Sequence, residues 1–234
     1  MSSILLDFNN KLGDNIICNG LIRQFAMRYD RVGIFCIPRY KISVSFMLRD
    51  VPQVELIMVK DHRRKQYYKF LHALHLTAQH YDKVLELYND TELGIQAERQ
   101  FYAYAGVPHE MKWSSFHVER DHAREQELFE RAASSEPYVF LHDDNLYASA
   151  IDPHKLPAHL RVVRADPKLT DNIFDYCSII EHAAEIHVVD SVFMFLVDCL
   201  PYESPGQKLF VHRYARKNPP WNLPVLRKPW VILT

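Results

Sequence analysis

Short apolar runs alternate with amphipathic segments along the first half of the chain. Runs of strand type occupy residues 3–8, 32–37, 54–59 and 83–87. Segments with helical spacing of their apolar positions follow them, at residues 14–29, 43–48, 62–80 and 93–105. A β-α order that repeats four times predicts a parallel sheet with helices on both of its faces.

The same alternation restarts in the second half of the chain. Strand-type runs lie at residues 138–141, 161–164, 185–189 and 208–212, and helical patterns lie at residues 120–133, 173–184 and 192–200. Residues 108–118 break the pattern and are interpreted as a linker. The sequence therefore predicts an α/β protein of two small Rossmann-like parallel-sheet domains, residues 1–110 and residues 111–234. We expect the Pro- and Trp-rich tail, residues 218–234, to pack back over the body.

Composition and charge indicate the environment and the partners that we expect for the protein. The formal net charge of −1 gives no overall attraction to nucleic acid or to an anionic membrane, although basic clusters at residues 62–65 and 213–217 leave a local anionic partner open. Four scattered cysteines lie in apolar runs and are interpreted as free thiols: Cys18, Cys36, Cys177 and Cys199. We find no signal-peptide pattern and no membrane-spanning apolar run, so we expect a soluble cytoplasmic protein without stable membrane insertion.

Polar residues follow several of the predicted strands directly. Ligands of open parallel sheets bind beyond the carboxyl ends of the strands, and three such corners stand out: residues 9–15, residues 142–145 and the pair Asp190-Ser191. The chain contains no P-loop, no Gly-x-Gly-x-x-Gly fingerprint and no Gly-x-Ser-x-Gly elbow. These absences argue against kinases, dinucleotide-dependent dehydrogenases and serine hydrolases.

The pair Asp190-Ser191 allows two interpretations. Asp and Ser are favoured N-caps, so the pair has a structural interpretation as the cap of the helix at residues 192–200. Alternatively, the amides at the start of that helix hold a phosphate together with the Ser191 hydroxyl. Sequence spacing does not separate the two.

Two segments resemble one known family. TDNIFDYCSIIEHAAEIHVVDSVFMFLVDCL resembles the donor half of glycosyltransferase family nine, the ADP-heptose:lipopolysaccharide heptosyltransferases, in which a strand ends in Asp-Ser-Gly and the next helix faces the nucleotide-sugar. KLGDNIICNGLIRQF is similar to the family's first loop and helix, where the aspartate of a Gly-Asp pair acts as base. The resemblance implies a shortened GT-B fold, in which the two domains face a cleft. It also implies sugar transfer from a nucleotide-sugar co-substrate without a further cofactor. Val192 departs from it, since the family has glycine there.

The resemblance gives roles to individual residues. Asp14 becomes the general base that accepts the proton of the acceptor hydroxyl, with a helix cap as its structural alternative. The residues assigned to the donor are Lys155, Thr170, Asp190 and Ser191. A polar stripe along the helix that contains Asp14 is assigned to the acceptor side: Asn15, Asn19 and Arg23. The last three recur at helical spacing, so a solvated helix face is their structural alternative.

His142-Asp143-Asp144 contains residue types that bind metals. Consecutive residues point in different directions, and we find no second carboxylate–histidine cluster and no convincing Asp-x-Asp motif. We therefore predict a metal-independent enzyme, in which His142 and Asp143 bond to hydroxyls of the donor sugar or ribose. An ordinary polar loop is the alternative.

Three functional hypotheses remain from the sequence. The first is a glycosyltransferase whose acceptor is a saccharide or a glycolipid. The second is a phage-type enzyme that glycosylates a modified base in DNA, with the two basic clusters contacting phosphates. The third is a GT-B-like module that binds a nucleotide or sugar without catalysis. Val192 and the short chain favour this hypothesis. The oligomeric state is not predicted.

Overall fold

The chain forms two compact units, each with a parallel sheet of its own. The computed structural model describes residues 1–8, 11–60, 75–87, 96–133, 135–143, 150–215 and 222–234. Unit 1 is Met1–Glu119 and unit 2 is Arg120–Thr234. The division between them falls after residue 119, whereas the sequence places the boundary at residue 110.

Unit 1 contains a four-stranded parallel sheet. Its strands are β1 (Ser3–Asp7), β2 (Arg31–Cys36), β3 (Val54–Met58) and β4 (Lys83–Glu86), in the spatial order β3-β2-β1-β4. The helices in its described residues include α1 (Leu12–Ile17), α2 (Asn19–Ala26), α3 (Lys41–Met47), α4 (Ala97–Tyr104) and α5 (Met111–Ser114). The inner strand β1 is an apolar run whose residues Ile4, Leu5 and Leu6 are buried, as expected for a strand inside a parallel sheet.

Unit 2 contains a five-stranded parallel sheet. Its strands are β5 (Tyr138–His142), β6 (Arg161–Arg164), β7 (Glu185–Val188), β8 (Lys208–His212) and β9 (Trp230–Leu233), in the order β6-β5-β7-β8-β9. Its helices are α6 (His122–Ala132), α7 (Cys177–His182) and α8 (Val192–Cys199). Within the part of unit 2 that the structure describes, 3₁₀ turns lie at Pro153–Lys155, Ile173–Tyr176 and Arg213–Ala215.

The predicted α/β class and the two parallel sheets are confirmed. Both strand orders belong to doubly wound folds, and in each the order reverses once: between β1 and β4 in unit 1, and between β5 and β7 in unit 2. At such a reversal the loops leave the sheet in opposite directions, so a crevice opens beyond the carboxyl ends of the two strands. The topology therefore marks one candidate ligand edge in each unit.

Two predicted elements differ in the structure. The segment interpreted as a linker, residues 108–118, contains α5 and packs on α2, because Gly20 lets the helices approach so closely that an added Cβ would lie 2.0 Å from the Met111 carbonyl oxygen. The predicted helix at residues 14–29 is divided into α1 and α2 at Cys18. Of the predicted helix at residues 62–80, residues 75–78 are helical, and residues 62–74 lie outside the described part of the chain.

The tail packs back on unit 2, as predicted, and also forms a strand. Asp198 Oδ1 on α8 accepts hydrogen bonds from the backbone N–H groups of Arg227 and Lys228 and from Nε1 of Trp230. These bonds hold β9 in parallel register beside β8, and the sequence analysis did not predict this strand. None of the helices in the described ranges has the length and apolar character needed to cross a membrane.

Candidate active site

Two of the predicted corners meet at the carboxyl end of the sheet in unit 2. His142 ends β5 and Ser191 precedes α8, and the His142 Nδ1 atom lies 3.0 Å from the Ser191 Oγ atom. The His142 ring also packs on Phe193, with centroids 4.6 Å apart. Because β5 and β7 are the strands at which the order reverses, this contact lies at the ligand edge of the sheet.

Ser191 occupies the N-cap position of α8 without acting as a side-chain cap. Within the described residues, its hydroxyl makes no hydrogen bond to an amide of its own helix and is engaged by His142 instead. Asp190, just before it, is buried. The start of α8, a helix of eight residues, keeps the partial positive charge of a helix N-terminus. The geometry therefore does not support the interpretation of Ser191 as a cap alone.

Asp143 forms an ion pair that the sequence analysis missed. Its mostly buried carboxylate pairs with Arg164, the last residue of β6, whose side chain is 52% exposed. Arg164 is in register with Leu141 of β5, so a guanidinium stands at the same edge of the sheet as His142. Its position at the end of a predicted strand was the available signal. Residues 144–149, which include the rest of this corner, lie outside the described residues.

The side chain of Thr170 is hydrogen-bonded within unit 2. Its hydroxyl donates to Asp175 Oδ2 at 2.6 Å, and the same carboxylate accepts hydrogen bonds from Asn172 and Arg124. These bonds fix the 3₁₀ turn at Ile173–Tyr176 to α6. We therefore reassign Thr170 from a donor contact to a structural residue.

Lys155 lies on an exposed turn. It ends the 3₁₀ turn Pro153–Lys155, whose N-cap Asp152 accepts a hydrogen bond from the His154 N–H group at 2.9 Å. The Asp152 N–H group donates to the Tyr214 hydroxyl, so the turn is attached to the segment that follows β8.

Asp14 combines features of a helix cap and of a catalytic base. It is the third residue of α1, and its carboxylate accepts a hydrogen bond from the backbone N–H of Lys11, the N-cap residue, as in half of a capping box. Burial raises the pKa of Asp14 to about 7, the charge and the N–H of Lys11 oppose this, and the charge of Glu98 adds to it. A carboxyl with this pKa is partly ionised at neutral pH and able to accept a proton.

The other predicted acceptor-side residues are buried or nearly so. Asn15 donates from Nδ2 to the Lys11 carbonyl at 2.9 Å, while its buried Oδ1 has no hydrogen-bond partner among the described residues. Asn19 bonds to both backbone groups of His117, and Arg23 forms a bidentate pair with Asp50, both distances being 2.8 Å. The polar groups of Asn19 and Arg23 therefore bond to partners inside unit 1. We reassign both as structural residues, since neither lies on a solvated face or reaches out of the unit.

A second unusual carboxyl lies at the strand-order reversal of unit 1. Asp7 ends β1 and is in register with Glu86, which ends β4. Burial, together with the charge of Glu86, raises the pKa of Asp7 to about 7. Asp7 is not among the site residues predicted from the sequence, although its place at the end of the first strand was a signal for it.

The described residues contain no group of three or more His, Cys, Asp and Glu side chains placed to hold a metal ion. The four cysteines are free and buried. Burial raises the pKa of Cys18 and of Cys177 well above the usual range, so both remain protonated thiols at neutral pH.

The fold resembles that of solved glycosyltransferases along nearly the whole chain. A glycosyl transferase family 9 structure from Veillonella parvula matches with a TM-score of 0.63 and 11% identity, over 99% of this chain and 86% of that chain. This chain has the fold of a family 9 glycosyltransferase. The Escherichia coli heptosyltransferase WaaC with ADP matches with a TM-score of 0.51 and 11% identity, over 100% of this chain and 93% of that chain. No family model and no curated protein sequence matches the chain. The fold that the resemblance of the two sequence segments implied is therefore confirmed.

Proposed function

We propose that the protein is a glycosyltransferase that moves a sugar from a nucleoside diphosphate to an acceptor hydroxyl. The solved proteins that share its fold are glycosyltransferases, and one of them was solved with ADP. The observation that carries the proposal is the contact between His142 and Ser191 at the strand-order reversal of unit 2, the edge at which sheets of this topology bind ligands.

The donor end of unit 2 is the set His142, Asp143, Lys155, Arg164 and Ser191. In the proposed reaction the departing diphosphate gains negative charge, which the start of α8 and nearby cations stabilise. Arg164 and Lys155 supply the cations, and the Ser191 hydroxyl supplies a hydrogen bond. Val192 narrows the approach of a phosphate to the backbone at the start of α8, where glycine would leave it open. We therefore assign more of the phosphate contact to side chains.

Asp14 is the proposed general base. The acceptor hydroxyl has to lose its proton as it attacks the anomeric carbon, and a partly ionised carboxyl can take it. We propose a saccharide or glycolipid as the acceptor, a metal-independent reaction with no cofactor besides the donor, and a cytoplasmic location. The alternative acceptor, a modified base in DNA, depends in part on the basic cluster at residues 62–65, which lies outside the described residues.

The test is calorimetric titration with ADP, GDP, UDP, CDP and dTDP in the presence of EDTA. We expect at least one of them to bind and, at one hundred times its Kd, to add about 2.7 kcal/mol to the free energy of unfolding. Ser191→Ala removes a hydrogen bond to a charged phosphate, so its Kd should rise about tenfold or more. Ser178→Ala is the matched control, since Ser178 is also in unit 2 and bonds to Glu125 on α6, away from the donor end.

Each alternative outcome has a distinct meaning. Binding to none of the five nucleotides contradicts the proposed donor. Binding that appears only with Mg²⁺ or Mn²⁺ contradicts metal independence. Equal affinity in Ser191→Ala and the parent removes Ser191 from the donor end. Binding without sugar transfer to any acceptor or to water favours the non-catalytic module.

A further inference from the structure

A continuous chain of hydrogen bonds crosses one face of the sheet in unit 2. Glu185 and His187 are two residues apart on β7, and Phe210 and His212 are two residues apart on β8, so each pair points to one face of the sheet. Because His187 is in register with Phe210, all four side chains point to the same face. His187 Nε2 lies 3.1 Å from Glu185 Oε2, and His187 Nδ1 lies 2.8 Å from His212 Nε2. The His187 ring also stacks on Phe210, with centroids 4.5 Å apart.

The chain continues to the donor end of unit 2. His212 Nδ1 lies 3.0 Å from the Tyr214 hydroxyl, which accepts the backbone N–H of Asp152 at 3.2 Å. Asp152 is the N-cap of the turn that ends at Lys155. The chain therefore connects a carboxylate at the amino end of β7 with the backbone of a turn beyond the carboxyl end of β8.

Protonation fixes the direction of every hydrogen bond in this chain. Burial lowers the pKa of His212 to about 4, and burial lowers the pKa of His187 as well although Glu185 opposes this, so both rings are neutral at pH 7. Burial raises the pKa of Glu185, but hydrogen bonds from Lys208 and His187 outweigh it and keep the carboxyl ionised. An ionised carboxylate only accepts, so His187 donates from Nε2 and accepts at Nδ1.

The remaining directions follow from the first. His212 has to donate from Nε2 to His187, which leaves its Nδ1 as an acceptor for the hydroxyl of Tyr214. The Tyr214 oxygen is then oriented to accept from Asp152. One arrangement of protons satisfies all of these groups, and chains of this kind strengthen their members by mutual polarisation.

We propose that Tyr214 is a positioning residue, which holds the Pro153–Lys155 turn, and with it Lys155, in place for the donor through the chain of Glu185, His187 and His212. This inference rests on the proposed function, because Lys155 matters only if the donor end binds a nucleoside diphosphate. Tyr214 itself is not assigned a contact with the donor. The position of the turn depends on the hydroxyl, while the ring alone makes an edge contact with His212.

Acid should release the turn. A proton added to either histidine leaves His212 with an N–H group that faces Tyr214. The tyrosine oxygen then has to accept from His212 and from Asp152 at once, and its hydroxyl hydrogen has to turn away from His212. The groups that act on His212 are His187 on β7, the charges of Lys155 and Asp152 on the turn, and Tyr214, and Lys208 reaches the pair through Glu185. Burial is the largest cause of the lowered pKa of His212, His187 and the charge of Lys155 lower it further, and the charge of Asp152 opposes them.

The experiment compares Tyr214→Phe with Tyr202→Phe, a matched control whose hydroxyl bonds to Gln207 in the same unit. Two quantities are measured from about pH 7 down to about pH 4: the hydrogen-exchange protection of the Asp152 amide, and the Kd of the tightest-binding nucleoside diphosphate among ADP, GDP, UDP, CDP and dTDP. We expect Tyr214→Phe to reduce the protection and to raise the Kd about fivefold to tenfold at pH 7. The parent should lose the same protection only below about pH 5, and the control should follow the parent.

Unchanged Asp152 protection in Tyr214→Phe would overturn the inference, because the hydroxyl would then not hold the turn. Reduced protection with an unchanged Kd would also overturn it, because the turn would not serve the donor. Absence of nucleotide binding by the parent contradicts the proposed function and removes the inference with it, so the two failures are distinguished by the parent alone.

Discussion

Replacement of Asp14 by Asn should stabilise the fold at alkaline pH while it removes the proposed base. The pKa of an Asp carboxyl is normally 3.8, and burial raises it to about 7 at Asp14. Between these two values the folded protein holds a proton that the unfolded chain has released. The contribution of Asp14 to stability is therefore complete below about pH 4 and is lost as the pH rises towards about 7.

The structure gives the size of this effect. Each pH unit between the two pKa values is equivalent to about 1.4 kcal/mol, so ionised Asp14 lowers the free energy of unfolding by up to about 4 kcal/mol above pH 7. Asn is neutral at every pH, keeps the size of the side chain and can still accept the hydrogen bond from the Lys11 N–H group. The stability difference between variant and parent should thus grow by about 2 to 3 kcal/mol between pH 5 and pH 8.

Urea denaturation of both proteins at the two pH values measures this difference. Taking the difference between variant and parent cancels the other titrating groups that both proteins share, such as Asp7. A difference that is independent of pH would contradict the raised pKa, since it would mean that Asp14 titrates in the folded protein as it does in the unfolded chain. In that case Asp14 is an ordinary cap, and its carboxylate is not poised to accept a proton at neutral pH.

Two further predictions concern unit 1. Gly20→Ala should lower the urea midpoint and cost about 1 to 3 kcal/mol, because the added Cβ would lie 2.0 Å from the Met111 carbonyl oxygen; a variant as stable as the parent would contradict the close packing of α2 and α5. Burial lowers the pKa of His109 to about 4, so on acidification the unfolded chain takes up this proton before the folded protein does. The parent should therefore lose stability between about pH 6.5 and about pH 4, by up to about 1.4 kcal/mol per pH unit from this group, and His109→Phe should remove that part of the loss. An unchanged acid dependence in urea titrations would show that His109 has its ordinary pKa.

The strands and the corners were predictable because local pattern determines them. Apolar runs bounded by polar residues mark the inner strands, and Asp190-Ser191 follows such a run directly. The contact of Ser191 with His142 was not predictable in the same way, because it depends on β5 and β7 being neighbours although β6 separates them in sequence. The pair of Asp143 with Arg164 also depends on strand pairing, in this case on the register of β6 beside β5.

Other features escaped prediction because tertiary contacts override local signals. Residues 108–118 lack a repeating pattern, but Gly20 and Asn19 give them a surface on α2 to pack against. The strand β9 has only four residues and lies at the end of the Pro-rich tail, so its pairing depends on Asp198 some thirty residues earlier. Thr170 was assigned by resemblance, whereas its hydroxyl bonds to Asp175 five residues later in the chain.

Sugar transfer with Asp14 as base is tested by the transfer of radiolabel from nucleotide-sugars to a panel of saccharide and glycolipid acceptors. Asp14→Asn is compared with Asp7→Asn, which makes the same change at the other carboxyl whose pKa burial raises to about 7. We expect the parent to transfer label, Asp14→Asn to lose about 10² to 10⁴ in turnover with unchanged donor affinity, and Asp7→Asn to keep its turnover. Asp14 would not be the base if Asp14→Asn kept the turnover of the parent, or if Asp7→Asn alone lost turnover.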